Sequence, residues 1–390
     1  MKFNLFYFIE KIMSVVLFAS MSFFVCAQNT IDKRLLSIMG EHEAIGVSVV
    51  VVRDTSIIYS NTFGYNPDYD KPELRRPFFS EGVFWLGSIS KTFIGLGIMH
   101  LVEVGKLSLD DDANNFLSFP LRNPSYPNTP ITIRMLLSHH SSLNDSQYSR
   151  SFKSFFNSTT DSKYEKSFNS YKPGEKYDYC NMGYSFLGAI IENVSNERLD
   201  VFMNKIICIP LGLKASFNLL DIEPELLVRS LNYDEKKQSF VGFQSVYNYT
   251  TVQYAMTNYS LGATTGQLIP SGGMKISAID LSRFMIMLMH KGLFQGHRIL
   301  SKKSIEEMIK PQSKERNYGL GLTTYKNIIK RHSLVGMRGA SHGVHNIMVY
   351  EPNENVGFVV LNNGYNTLAN GGTDMNYRII RALYKHFRNK

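Results

Sequence analysis

A chain of 390 residues, 44% hydrophobic and 19% charged, has the apolar material for one large or two moderate domains and excludes a disordered or fibrous protein. Its formal charge of +9 is not gathered into a Lys/Arg run or a basic-aromatic pattern, so it reads as a solvated basic surface rather than a nucleic-acid module. Three cysteines are too few for a disulfide framework.

The start, "MKFNLFYFIEKIMSVVLFASMSFFVCAQ", has an early lysine, an apolar stretch from Ile12 to Ala27, and Ala27 before Gln28. That is the layout of a secretory signal over residues 1–27, cleaved after Ala27, which leaves residues 28–390 as an exported, periplasmic or secreted, domain. The stretch is short for a comfortable bilayer span, and a retained anchor is the competing reading. Phe24 and Val25 are a poor setting for a lipid on Cys26. Cleavage removes Lys2, Glu10 and Lys11, leaves a charge of about +8, and keeps Cys180 and Cys208, expected as free thiols. No later segment reaches membrane-spanning length.

Along the chain, a helix-like piece at Ile31 to Met39 precedes two β-branched runs, Gly46 to Val52 and Ser56 to Phe63, which read as a hairpin turning at Arg53, Asp54 and Thr55. "FWLGSISKTFIG", Phe84 to Gly95, follows. If a helix starts near Gly87, Ser88 and Lys91 share a face with Cβ atoms about 5 to 6 Å apart, and Ser90 points elsewhere. A serine hydroxyl becomes a nucleophile when a neighbouring base takes its proton, and a desolvated amine one turn away suits that task. Spacing alone equally allows a plain helix start, with serine as cap and lysine in solvent.

Helical patterns then recur at Thr92 to Val104, Ile133 to Ser138, Gly183 to Val194 and Ala278 to Met289. The segments Asp145 to Ser170 and Phe243 to Gln267 read as loops. The second carries Tyr247, Tyr249, Tyr254 and Tyr259, either a stacking wall for substrate or ordinary packing. "YGLGLTTYK", "HSLVG", "VHNIMVYEP" and "VGFVVLNNG" are short strand-like runs, and Met375, Ile379, Leu383 and Phe387 mark one face of a last helix. The fold class is therefore α+β. An antiparallel sheet built from both ends of the chain (about 40–85 and 315–390), flanked by helices, holds an inserted, mainly helical lobe (about 86–314), with a cleft at the seam.

Further on, "YKPGEKYDYCNMGYSFLGAIIENVS" places Tyr179, Cys180 and Asn181 just before a helix. The order "GSISK", "ITIRMLLSHHSSL", this segment, "PLGL" and "PSGGMKISAIDLSRF" resembles the serine β-lactamase-related hydrolases, the group of class C β-lactamases, D-alanyl-D-alanine carboxypeptidases and related esterases. The resemblance runs from about Gly46 to the C-terminus. It implies a β-lactamase/transpeptidase-like fold, Ser88 as the acylated nucleophile, Lys91 as its partner, Tyr179 as general base and Asn181 as a ligand for the substrate amide. A tyrosine with a reference pKa near 10 needs nearby positive charge to serve as a base at neutral pH, and Lys91 supplies it. Tyr126 to Asn128 repeats the Tyr-x-Asn spacing in "PLRNPSYPNTPI", a proline-rich loop, and ranks below.

The resemblance also implies a third motif, Lys-Thr-Gly or His-x-Gly, on a strand across the cleft. "VGMRGASHGVHNIMVYEP" puts Met337, Arg338 and Gly339 there, so the cationic position is a thioether. Arg338, next along a strand, should face away if Met337 faces the cleft. Gly339 keeps the strand approachable, and the N–H of Ala340 is the candidate to complete an oxyanion hole with that of Ser88. Losing the cation argues against classical penicillin hydrolysis and carboxypeptidase action and leaves acyl chemistry in place.

His139 reads as structural. His342 and His345 could pair on a metal but have no carboxylate cluster beside them, and Cys180 has no base of its own. The expectation is an exported serine hydrolase acting through an acyl-enzyme on a small-molecule or peptide substrate, an ester, amide or peptidoglycan-derived peptide, with no cofactor and no nucleic-acid partner. A catalytically silent binding protein of the same fold is the rival, as is a D-amino-acid peptidase or esterase without β-lactamase activity. Oligomeric state is not encoded in any motif.

Overall fold

The computed structural model describes residues 30–68, 75–242, 248–313 and 315–388. The signal-like residues 1–27, Cys26 and Tyr247 lie outside the described residues. Contacts group residues 45–365 into one compact unit, and the described parts of 1–44 and 366–390 into another.

In the larger unit, β-branched residues dominate the strand from Gly46 to Arg53, which is buried on both faces as a central strand requires. It pairs antiparallel on one side with Ser56–Pro67, through the expected hairpin, and on the other with Val356–Asn362, in the register Val50 opposite Val359. The resulting seven-stranded sheet runs in the order Thr323–Tyr325, Leu334–Ser341, Val344–Glu351, Val356–Asn362, Gly46–Arg53, Ser56–Pro67, Arg75–Pro77. The early and late strands of the sequence thus meet at the middle of the sheet. Helix Ala278–Met289, capped by the Ser277 hydroxyl accepting from the Asp280 N–H at 3.1 Å, packs on the two central strands.

The inserted lobe carries helices Ser90–Glu103, Ile133–Leu137 and Asn181–Ser195, close to the expected bounds. Its core is continuous with that under the sheet, with Phe93 stacked on Phe284 at 3.9 Å between ring centres. The lobe is less purely helical than its pattern suggests. Val83–Trp85, Lys275–Ser277 and Ala215–Ser216 form a small antiparallel sheet, and Leu231–Asp234 pairs with Ser239–Gly242. These runs of two to four residues are too short to show a period of two. A second difference is that Tyr249–Thr257, read as loop, is a helix whose start is capped by the Asn248 side chain accepting from the Thr251 N–H at 2.9 Å.

In the smaller unit, residues 30–41 are helical and bury Ile31, Leu35 and Ile38. Helix Met375–Phe387 buries the expected Met375, Ile379, Leu383 and Phe387, and Arg378 reaches Glu41 at 2.5 Å. Among the described residues no helix is long and apolar enough to cross a membrane.

Candidate active site

A cleft of about 670 Å³ lies in the larger unit, and Ser88, Tyr179, Asn181, Met337, Gly339 and Ala340 all line it. Ser88 stands where the chain turns from strand Val83–Trp85 through the left-handed Gly87 (φ 60°) into a short 3-10 turn, Gly87–Ile89, that leads into helix Ser90–Glu103. Lys91, three residues on, is fully buried and points back, with its Nζ 3.1 Å from Ser88 Oγ. Ser90 does point elsewhere, since its hydroxyl accepts from the Met274 N–H at 3.0 Å.

Two other acceptors surround the Lys91 amine, Asn181 Oδ1 and the Ser271 carbonyl, each at 2.7 Å. An ammonium would donate to all three oxygens. A neutral amine would donate to Asn181 and Ser271, which in this orientation only accept, and its lone pair would then face the Ser88 hydroxyl. Burial favours the neutral form and brings the Lys91 pKa down to about 7, although the carboxylate of Asp145 partly opposes it.

Tyr179 donates its hydroxyl to Ser88 Oγ at 2.7 Å, and the Lys91 amine lies 4.9 Å from its ring centre. Tyr179 lies on the cleft wall and is 36% exposed. Burial pushes the phenol well above the ordinary tyrosine range, while the hydrogen bond to Ser88 only partly opposes this. The shifts of the two groups thus run in opposite directions, with the Lys91 amine the nearer to neutral pH.

Asn181 opens helix Asn181–Ser195, preceded by Cys180, which offers no cap of its own. The cap comes from Asp145, 36 residues earlier. Its carboxylate accepts from the Asn181 N–H at 2.8 Å, the Met182 N–H at 3.0 Å and the Asn181 amide Nδ2 at 2.7 Å. Both ends of the Asn181 amide are thus engaged within the protein, one on Asp145 and one on Lys91. Asp145 and Ser271 were not legible as site residues. One is a cap remote in sequence, and the other acts through its main chain.

On the opposite wall, Gly339 packs against the Ser88 turn so closely that a Cβ there would lie 1.9 Å from the Leu86 carbonyl oxygen and 3.0 Å from the Ser88 nitrogen. The adjacent Ala340 nitrogen runs beside Gly87. Met337 is buried with its sulfur 3.9 Å from the Thr323 hydroxyl, and half-buried Arg338, expected to face away, lines the same cleft.

The remaining candidates separate. His139 is buried, packs its ring 4.3 Å from that of Tyr179, and accepts from the Cys180 N–H at 3.1 Å. Burial, helped by the charge of Lys91, holds it neutral. Tyr126 donates to the Ser170 carbonyl at 3.1 Å and is not in the cleft lining. Tyr259 donates to buried Glu192 and Tyr249 to the Ile222 carbonyl, while Tyr254 is exposed, so these three form no common stacking wall. Cys180 and Cys208 are free and buried, and burial raises both thiols, which makes them poor nucleophiles. His342 and His345 line the cleft, but the cluster of metal-ligating type among the described residues is elsewhere, at His332, Glu351 and Glu354.

A family model described as Beta-lactamase matches residues 31–382. The chain is 27% identical over 180 residues to "Protein flp" of Staphylococcus aureus (strain N315), covering 45% of this chain and 35% of that one. It is 31% identical over 186 residues to "Penicillin-binding protein 4*" of Bacillus subtilis (strain 168), covering 46% and 39%. These matches thus span little more than a third of the relatives' own length. A solved octameric penicillin-binding protein homologue from Pyrococcus abyssi shares 27% identity at a TM-score of 0.70, covering 92% of this chain and 76% of that one.

Proposed function

The chain belongs to the β-lactamase family, and from that premise we propose that it is an exported serine hydrolase that forms and hydrolyses an acyl-enzyme on Ser88. The observation that carries the reading is the convergence on one hydroxyl, Ser88 Oγ, of the Tyr179 phenol at 2.7 Å and the Lys91 amine at 3.1 Å. Few structural roles need a fully buried lysine aimed at a serine in an open cleft, whereas nucleophile activation needs that pairing.

In this reading Ser88 Oγ attacks the substrate carbonyl carbon as the Ser88 proton passes to neutral Lys91. The N–H groups of Ser88 and Ala340 face the developing oxyanion. The bond to the leaving group breaks as that atom takes the Tyr179 proton, and the transient phenolate is balanced by the Lys91 ammonium beside it. Water then gives a proton to Tyr179 and its oxygen to the acyl carbon, and Ser88 leaves with the proton returned by Lys91. Relative to the resemblance, Lys91 rather than Tyr179 begins the cycle, because the two pKa shifts run in opposite directions.

The substrate class is an ester, amide or small peptide, with cell-wall fragments among the candidates. Met337 in place of a cation predicts slow or absent turnover of a chromogenic cephalosporin, and rapid turnover would reject that part. The test of the whole reading is intact mass after incubation with a fluorophosphonate. One adduct is expected on the wild type and none on Ser88→Ala. An unlabelled wild type would instead favour a binding protein that has kept the pocket.

A further inference from the structure

Met337 stands at the strand's cationic position, yet two arginines, Arg338 on that strand and Arg150, line the cleft. Arg150 lines it, and also lines a smaller adjoining cavity of about 50 Å³; Trp85 and Ile269 form the rest of the shared wall. Two observations place the arginine there by construction. Its main chain is held by Gly266, where a Cβ would lie 2.2 Å from the Arg150 carbonyl oxygen. Two residues earlier, the Tyr148 hydroxyl sits 3.2 Å from Ser271 Oγ, which ties the segment to the residue whose carbonyl holds Lys91.

The Arg150 charge is among the influences that lower the pKa of His342, in the main cleft, and of Lys275, in the adjoining cavity, where Asp221 and Asp200 oppose it. Among the described residues no carboxylate forms an ion pair with it. A guanidinium in solvent needs none, but one set in a concave wall without a paired carboxylate adds positive potential there, which an anionic ligand would relieve.

We propose that Arg150 selects the substrate, binding a carboxylate on the substrate at the Trp85–Ile269 end of the cleft. The guanidinium fork matches a carboxylate with two parallel N–H···O bonds, and the indole of Trp85 and the Ile269 side chain give the methylene groups before that carboxylate an apolar bed. The cation at that end of the cleft thus stands on the loop after Asp145, apart from Arg338 on the strand that carries Met337. In its catalytic arm this inference rests on the acyl-enzyme reading.

Trp85 is the single tryptophan of the chain and shares the wall with Arg150, so its fluorescence reports occupancy without turnover. The experiment titrates full-length wild type, Arg150→Gln and Arg150→Lys with glutarate, neutral glutaramide and inorganic phosphate. Glutarate should change Trp85 emission saturably in the wild type and bind at least tenfold more weakly to Arg150→Gln, with Arg150→Lys between them. Glutaramide should give no saturable change. In parallel, the ratio of kcat/KM for mono-4-nitrophenyl glutarate over 4-nitrophenyl butyrate should fall at least tenfold in Arg150→Gln, mainly through KM. Equal responses to glutarate and glutaramide, or an unchanged Arg150→Gln, overturn the proposal. Saturation by phosphate without glutarate overturns the carboxylate assignment. If neither ester acylates Ser88, the hydrolase reading fails, and the Trp85 titration still decides the role of Arg150.

Discussion

The Asp145 carboxylate fixes which way the Asn181 amide faces. By taking Nδ2 at 2.7 Å it turns Oδ1 toward Lys91, so an acid in a loop sets the hydrogen bonding of a buried amine it does not itself touch.

Asp145→Asn should therefore impair both stability and chemistry. The new amide would aim a donor at donors, leaving a helix N-terminus and Asn181 mispaired at a cost of about 1 to 3 kcal/mol. Urea midpoints and kcat on a neutral ester are the measurements. We expect kcat to fall by one to two orders of magnitude with KM little changed, and a loss of stability alone would reject the positioning role.

The pH profile follows from Lys91. Below about 7 the amine is protonated and cannot accept the Ser88 proton, so kcat/KM for a neutral ester should rise through about pH 7 and level off above it. Tyr179, with its pKa raised, keeps its proton throughout that range. Rates between pH 5 and 9 check this, and a flat profile would exclude Lys91 as the acceptor.

Stability should also rise with pH, for a related reason. Lys91 and Lys275 are both buried and drop from 10.5 to about 7 on folding, so between those values the unfolded chain binds more protons and alkali favours the folded state. Below about 7 the penalty is fully present. The slope is on the order of 1 kcal/mol per pH unit for each lysine. Denaturant midpoints from pH 7.5 to 9 should show it, and Lys275→Met should roughly halve it.

Gly339→Ala tests the close approach behind the nucleophile. A methyl 1.9 Å from the Leu86 oxygen must displace the strand or the turn, so fluorophosphonate labelling should slow at least a hundredfold and the melting temperature should fall. Labelling at the wild-type rate would show that the turn is not held by this contact.

Much of this architecture was legible locally. Val49 to Val52 could only suit a buried strand, and Ser88 with Lys91 needed just one helical turn to meet. The illegible parts depend on contacts between distant segments. Asp145 caps a helix 36 residues away, and the Ser271 contribution to Lys91 is a carbonyl that every residue type carries. The tyrosine segment misled for a different reason, because its polar, aromatic composition hid a helix that Asn248 starts. The complete burial of Lys91 beside a partly exposed Tyr179 is a property of the folded cleft, which no motif states.

Because one contact of the Lys91 amine is the main-chain oxygen of residue 271, that contact does not depend on which side chain residue 271 carries. That one support of the amine is thereby insulated from change in the cleft wall at this position, so a lineage could vary the side chain there and keep the contact.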